Sequence, residues 1–234
     1  MSVSFDFTDR VAIVTGACGA LGSAVAGRFA DAGATVAAVD LIAPDSDGSL
    51  LEESAYDSFY EADLTTEGSV ESTVESVVED HGRVDYLCNV AGTWRGGTPI
   101  EDTDLETFDL LMGVNLKSAF LTSKHALPHL RETGGAIVSV SARSSLEGGE
   151  GDGPYRISKA GIRLLTETIA AENLGTVRAN CVMPSVIDTP TNREMMEPKD
   201  EWVAPGDIAD VMLFLCSDAA GVTSGAAVPV YGEA

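Results

Sequence analysis

At 234 residues, with 44% hydrophobic and 22% charged residues, the chain suits one globular domain with a sizeable core. Its 37 acidic residues against 14 basic ones give a net charge of -23, a field that repels nucleic acid and anionic membranes. No apolar run approaches the roughly 18 residues of a membrane span, and the opening "MSVSFDFTDR" lacks the basic and apolar regions of a signal peptide, so a cytoplasmic protein is expected.

In chain order the strand-like runs are "VAIVT" (11–15), "TVAAVD" (35–40), "SFYEAD" (58–63), "VDYLCNV" (84–90), "GAIVSVS" (135–141), "VRANCVMP" (177–184) and "AAVPVYG" (226–232). Helical patterns lie between them, near 21–32, 67–81, 104–131, 155–174 and 206–216. Alternation of this kind predicts an α/β chain: a single-domain Rossmann fold over 1–234, with a doubly wound parallel sheet of about seven strands and helices on both faces. The stretch "APDSDGSLLEES" (43–54) reads as an acidic surface loop, and 189–203 as a short lid over a substrate.

The acidity has two readings. One is an ordinary acidic surface without a specific partner. The other, expected here, is adaptation to high salt, where screening relieves self-repulsion. Cys18, Cys88, Cys181 and Cys216 are far apart in sequence and form no CxxC motif, so reduced core thiols are expected. His125 and His129 lie one helical turn apart without a third ligand, and no metal is expected.

In such sheets, ligands bind beyond the carboxyl ends of the strands. The turn after the first strand reads "GACGALG". Gly16, Gly19 and Gly22 make GxxGxxG; read as GxxxGxG, the middle position is Ala20. Either spacing lets backbone N–H groups near Gly16, Cys18, Gly19, Ala20 and Leu21 approach a pyrophosphate at a helix N-terminus. Asp40 ends the second strand, 24 residues after Gly16. A carboxylate there accepts bonds from adenosine ribose hydroxyls and repels a 2′-phosphate, and no Arg or Lys nearby welcomes that phosphate. NAD(H) is therefore expected over NADP(H). "ADL" (62–64) and "NVAG" (89–92), at the ends of the next strands, line a groove.

"YRISKAG" sets Tyr155 and Lys159 four apart, on one face of a helix. A phenol of pKa ~10 is too weakly acidic to be a good base at neutral pH, and a nearby ammonium lowers that value. The pair suits proton exchange with an alcohol/ketone couple.

Together, "TGACGALG", Asp40, "ADL", "NVAG", Asn115 in "GVNL", "IVSVSA", "YRISK" and "MPSVIDT" resemble the short-chain dehydrogenase/reductase family, in family order and over nearly the whole chain. The resemblance implies that Tyr155 is the acid/base residue, that Lys159 holds the nicotinamide ribose and lowers the Tyr155 pKa, and that Asn115 supports a relay water at a helix kink. It also implies that Asp63 and Leu64 flank the adenine, that Asn89, Ala91 and Gly92 line the cofactor groove, and that Pro184, Ile187 and Thr189 meet the nicotinamide end. Only 50 residues follow Pro184, which suits the short, single-domain branch with Ala20 in place of a glycine. A small carbonyl or alcohol substrate and a homodimer or homotetramer follow from the same resemblance, the helices near 104–131 and 155–174 packing across the interface and "GAAVPVYGEA" adding a further contact.

One departure bears on activity. The family's catalytic serine lies thirteen residues before the tyrosine, and here that residue is Ala142. Ser141 is expected to take over, with Ser144 as the other candidate; a substrate group or water is a further possibility. The alanine, with the GALG-type turn, also resembles dihydropteridine reductases, and a catalytically weak nucleotide-binding regulator is the remaining alternative. Arg143, Arg156 and Arg95 are positioned to meet a substrate carboxylate, with surface pairing as the expected outcome for each; Met195, Met196 and Trp202 offer the lid an apolar face.

Overall fold

Seven strands form in a computed structural model that describes residues 5–232: β1 (Val11–Thr15), β2 (Thr35–Asp40), β3 (Ser58–Glu61), β4 (Tyr86–Asn89), β5 (Ala136–Val140), β6 (Arg178–Pro184) and β7 (Ala227–Val230). They make one all-parallel sheet in the order β3-β2-β1-β4-β5-β6-β7. Alternation along the pleat divides the core. Ala12 and Val14 of β1 face one layer, with Val25, Phe29, Ile208 and Met212; Val11 and Ile13 face the other, with Val70, Val74, Leu121 and Leu130. The first layer is covered by α1 (Ala20–Asp31) and α7 (Pro205–Cys216), the second by α2 (Glu67–His81), α4 (Ser118–Thr133) and α5 (Gly153–Glu172). Strand order reverses between β1 and β4, so a crevice opens beyond their carboxyl ends.

The ends of β1, β2 and α2 fall where the sequence places them. Four expectations change. The helix expected as continuous over 104–131 is broken into α3 (Leu105–Leu111), a π-helical turn (Met112–Lys117) and α4; the apolar pattern runs on through the wider turn, which falls where the resemblance implies a kink at Asn115. Strand 58–63 stops at Glu61, where Asp63 folds back to accept the Thr65 N–H (2.9 Å) and both Thr65 and Thr66 hydroxyls. The loop 43–54 is not wholly surface: Leu51 is buried in the α1 layer and the Leu50 N–H donates to the Cys18 carbonyl at 2.8 Å. The stretch 189–203, expected as a lid, contains a helix, α6 (Pro190–Met195), capped by the Thr189 hydroxyl, which accepts the Asn192 N–H at 3.1 Å. Of the C-terminal stretch "GAAVPVYGEA", residues 233–234 lie outside the described residues.

Candidate active site

The glycine-rich turn is shaped by two contacts that no side chain would allow. Gly16 has φ +66, and a Cβ there would sit 2.7 Å from the Ala91 Cα. A Cβ on Gly22 would lie 1.9 Å from the Gly16 carbonyl oxygen, so helix and turn touch. Ala20 is helical, in the first turn of α1, so its Cβ costs nothing. The first helical bond runs from Ser23 N–H to the Gly19 carbonyl; the N–H groups of Ala20, Leu21 and Gly22 have no backbone acceptor among the described residues. This cradle fits an anionic pyrophosphate. Asp40 closes it from β2: Oδ2 accepts the Cys18 N–H (2.9 Å) and Oδ1 accepts Leu41 N–H (2.7 Å), leaving lone pairs for ribose hydroxyls.

Across the crevice, Thr15 ties β1 to the end of β4. Its hydroxyl oxygen accepts the N–H groups of Val90 (3.0 Å) and Ala91 (3.1 Å). Asn89 takes a different place from the expected groove lining. It is buried, and its amide is engaged by Thr122 (2.6 Å), Ser123 (3.1 Å) and Ser139 (3.2 Å). Gly92 marks the meeting point: a Cβ there would be 3.1 Å from both Asn115 Oδ1 and Lys159 Nζ. The π-helical turn delivers Asn115, wholly buried, to this point. Its Oδ1 accepts the Thr93 N–H (2.7 Å), and its Nδ2 donates to the Thr93 carbonyl (3.0 Å) and to Ser158 Oγ (2.9 Å).

Tyr155 and Lys159 rise from the first turns of α5, whose start is set by Pro154. Lys159 is 5% exposed and donates to the Val140 carbonyl at 2.9 Å. Burial brings its ammonium down to about 8. Burial, and after it the charge of Asp152, push the Tyr155 phenol up to about 12. The phenol is thus pushed opposite to the lowering expected from Lys159, by its burial and by Asp152.

Ser141 does not reach outward. It is 1% exposed, and its hydroxyl donates to the Lys159 carbonyl at 2.8 Å, pinning β5 to α5. Ala142 is buried and extended, and begins a 3₁₀ turn over Arg143–Leu146. Arg156 is paired with Asp152 (2.5 Å) and caps loop carbonyls, while Arg143 stacks on the Tyr231 ring, 4.6 Å from its centroid. Pro184 is buried at the end of β6; Ile187 and Thr189 follow in the strap that bridges to Val203. Met195 and Met196 are exposed. Thr15, Thr93 and Ser158 were not singled out by the sequence, although each sits beside a residue that was.

The fold and this crevice define a single-domain Rossmann protein with its polar cluster at the switch point. A family profile described as enoyl-(acyl carrier protein) reductase matches residues 16–232. The chain is 34% identical to meso-2,3-butanediol dehydrogenase of Serratia marcescens, over 97% of this chain and 95% of the relative. It is 32% identical to 2-(R)-hydroxypropyl-CoM dehydrogenase of Xanthobacter autotrophicus (95% and 97%) and 31% identical to the 3-oxoacyl-[acyl-carrier-protein] reductase of Thermotoga maritima (95% and 96%). Among solved structures, a short-chain dehydrogenase/reductase from Brucella melitensis superposes with a TM-score of 0.89 at 28% identity, covering 99% of this chain and 98% of the other. Thermoplasma acidophilum aldohexose dehydrogenase gives 0.87 at 26% identity, covering 97% and 94%. The chain belongs to the short-chain dehydrogenase/reductase family, a family of oxidoreductases.

Proposed function

We propose that this protein interconverts a small secondary alcohol and its ketone with NAD(H). The observation that carries the reading is the convergence of Asn115 and Lys159 on Gly92, with Tyr155 one turn from Lys159 on α5, beside a glycine cradle and Asp40. A bound nicotinamide supplies the hydride donor or acceptor. Asp40 accepts ribose hydroxyls and disfavours a 2′-phosphate; the first turn of α1 receives the pyrophosphate. Lys159 holds a cation at the ribose end, where it favours a developing phenolate. A phenol at about 12 keeps its proton at neutral pH, so Tyr155 is poised as the donor to an alkoxide. The relatives whose names specify alcohols or oxoacyl groups support this substrate class.

The same reading assigns the outer face of α3, α4 and α5 to a second copy. An open groove of about 750 Å³ there is lined by Met112, Val114, Leu116, Phe120 and Leu165. Ile157 and Leu164 are exposed beside it. Ala142 favours a second reading, a nucleotide-binding protein with little turnover. Oxidation of NADH and NADPH in the presence of diacetyl and an acetoacetyl thioester decides between them. NADH should be preferred, and Tyr155→Phe should lower turnover by at least about 100-fold. A Tyr155→Phe protein as active as the unaltered one removes the proposed chemistry.

A further inference from the structure

Beyond β5 the chain runs through Ser141 and Ala142 into the 3₁₀ turn Arg143–Leu146, which packs against α5 at the sheet end that holds Lys159. A carbonyl protonated from one side gains from a second donor to its oxygen, where negative charge develops. Ala142 offers none. The remaining hydroxyls of the segment are those of Ser141, Ser144 and Ser145, and each carries one proton.

The protons can be counted. That of Ser141 goes to the Lys159 carbonyl, 2.8 Å away. The 3.1 Å contact between Ser141 Oγ and Ser145 Oγ then takes the proton of Ser145, which is 8% exposed. Both are spent inside the protein. Ser144 is different: it is half-buried, and its hydroxyl has no hydrogen-bond partner among the described residues. Its main chain is nevertheless held. Arg156, the residue after Tyr155, donates through Nη1 to the Ser144 carbonyl (3.2 Å) and to the Glu147 carbonyl (3.1 Å), and is itself tied to Asp152 at 2.5 Å. The loop wraps this guanidinium closely; a Cβ at Gly149 would lie 2.2 Å from Arg156 Cζ. A held backbone with an uncommitted hydroxyl has no internal bond to break and little freedom to lose on binding a ligand.

We propose that Ser144 is the second donor to the substrate carbonyl oxygen, and that Arg156 is the residue that positions it. The proposal rests on the alcohol/ketone reading above. It follows from Ser141 being locked and Ala142 having no hydroxyl. Thr93 likewise has a hydroxyl with no partner among the described residues and a main chain held by the Asn115 amide, at the Lys159 side of the crevice, so the test includes it.

The test uses the full chain with NADH and diacetyl. Ser144→Ala should lower kcat/KM by about ten- to a hundredfold. Its melting temperature, and NADH binding followed by nucleotide fluorescence, should match the unaltered protein. Adding Ala142→Ser to Ser144→Ala should restore activity, since it returns a hydroxyl to the same strand end. Wild-type kcat/KM in Ser144→Ala overturns the proposal. So does a loss in Ser141→Ala or Thr93→Val, at unchanged melting temperature, that Ser144→Ala does not share. Tyr155→Phe separates the two levels: if it is inactive while Ser144→Ala is not, only the role of Ser144 falls; if it is fully active, the alcohol/ketone reading falls.

Discussion

Lys159 shows what one residue of this site costs the fold. It is almost wholly buried, with a single backbone carbonyl as its partner among the described residues, and burial brings its pKa from 10.5 to about 8. Below pH 8 the lysine is charged in both folded and unfolded chains, and the desolvation penalty is present in full. Between about 8 and 10.5 the unfolded chain holds the proton longer, so stability rises with pH. Above 10.5 both forms are neutral and the penalty has gone. The shift corresponds to about 3 kcal/mol, of which the orphaned Val140 carbonyl would take back about 1 kcal/mol in an apolar replacement. Lys159→Met should therefore be more stable than the unaltered protein by about 2 kcal/mol in urea at pH 7, with the advantage shrinking by pH 9.5, and should have lost turnover. A less stable Lys159→Met at pH 7 would show that the ammonium is better solvated than the burial implies. On the proposed function, the need for a cation at that point, rather than stability, accounts for the residue.

At the scale of elements, the opposite end of the sheet is held by one carboxylate. Asp85 precedes β4 and is 1% exposed; Arg83 binds it in a fork (2.7 and 2.6 Å), Arg10 adds a third contact (2.9 Å), and the Val11 N–H a fourth (3.0 Å). Burial alone would raise its pKa, but Arg83, the Val11 N–H and Arg10 outweigh burial and hold it below the ordinary carboxylate value. Asp85→Asn should cost about 2–3 kcal/mol in urea denaturation at neutral pH, and the difference from the unaltered protein should shrink in acid, as the carboxylate of the latter is protonated. Equal stability at neutral pH would mean that the arginines, each about 40% exposed, find water as good a partner. The same scale shows what a sequence conveys. β1, β2 and α2 were legible because each has one strong period and a clear stop. The π-helical turn was not legible in the periodicity, since one extra residue in a turn barely disturbs an apolar pattern; only the family resemblance put a kink at Asn115. Tyr155, Lys159 and Asp40 were legible as residue types at given spacings, and Asn115 only through the family resemblance. The directions of Ser141 and Asn89 were not, because they depend on partners 18 to 50 residues away.

At the scale of the whole molecule, charge is the unbalanced quantity. Thirty-seven acids face 14 basic residues, so even complete one-to-one pairing would leave 23 carboxylates unmatched. Part of this charge is regularly spaced. Glu71, Glu75 and Glu79 form an exposed stripe on α2, each one turn from the next, and like charges at that spacing cost a helix roughly 0.2–0.5 kcal/mol per pair. At about 0.1 M salt the screening length is ~10 Å, longer than one helical turn, and the repulsions add across the surface; at about 1 M it is ~3 Å and they vanish. The buried Asp85 cluster is screened much less, so salt removes the repulsion while leaving that attraction in place. The melting temperature should therefore rise markedly between 0.1 M and 2 M KCl. Replacing Glu71, Glu75 and Glu79 together by Gln should raise it in low salt and reduce the further gain from KCl. Calorimetric melting of both proteins at the two concentrations measures the four values, and equal melting of the unaltered chain in both would leave its acidity as a surface property with no bearing on salt.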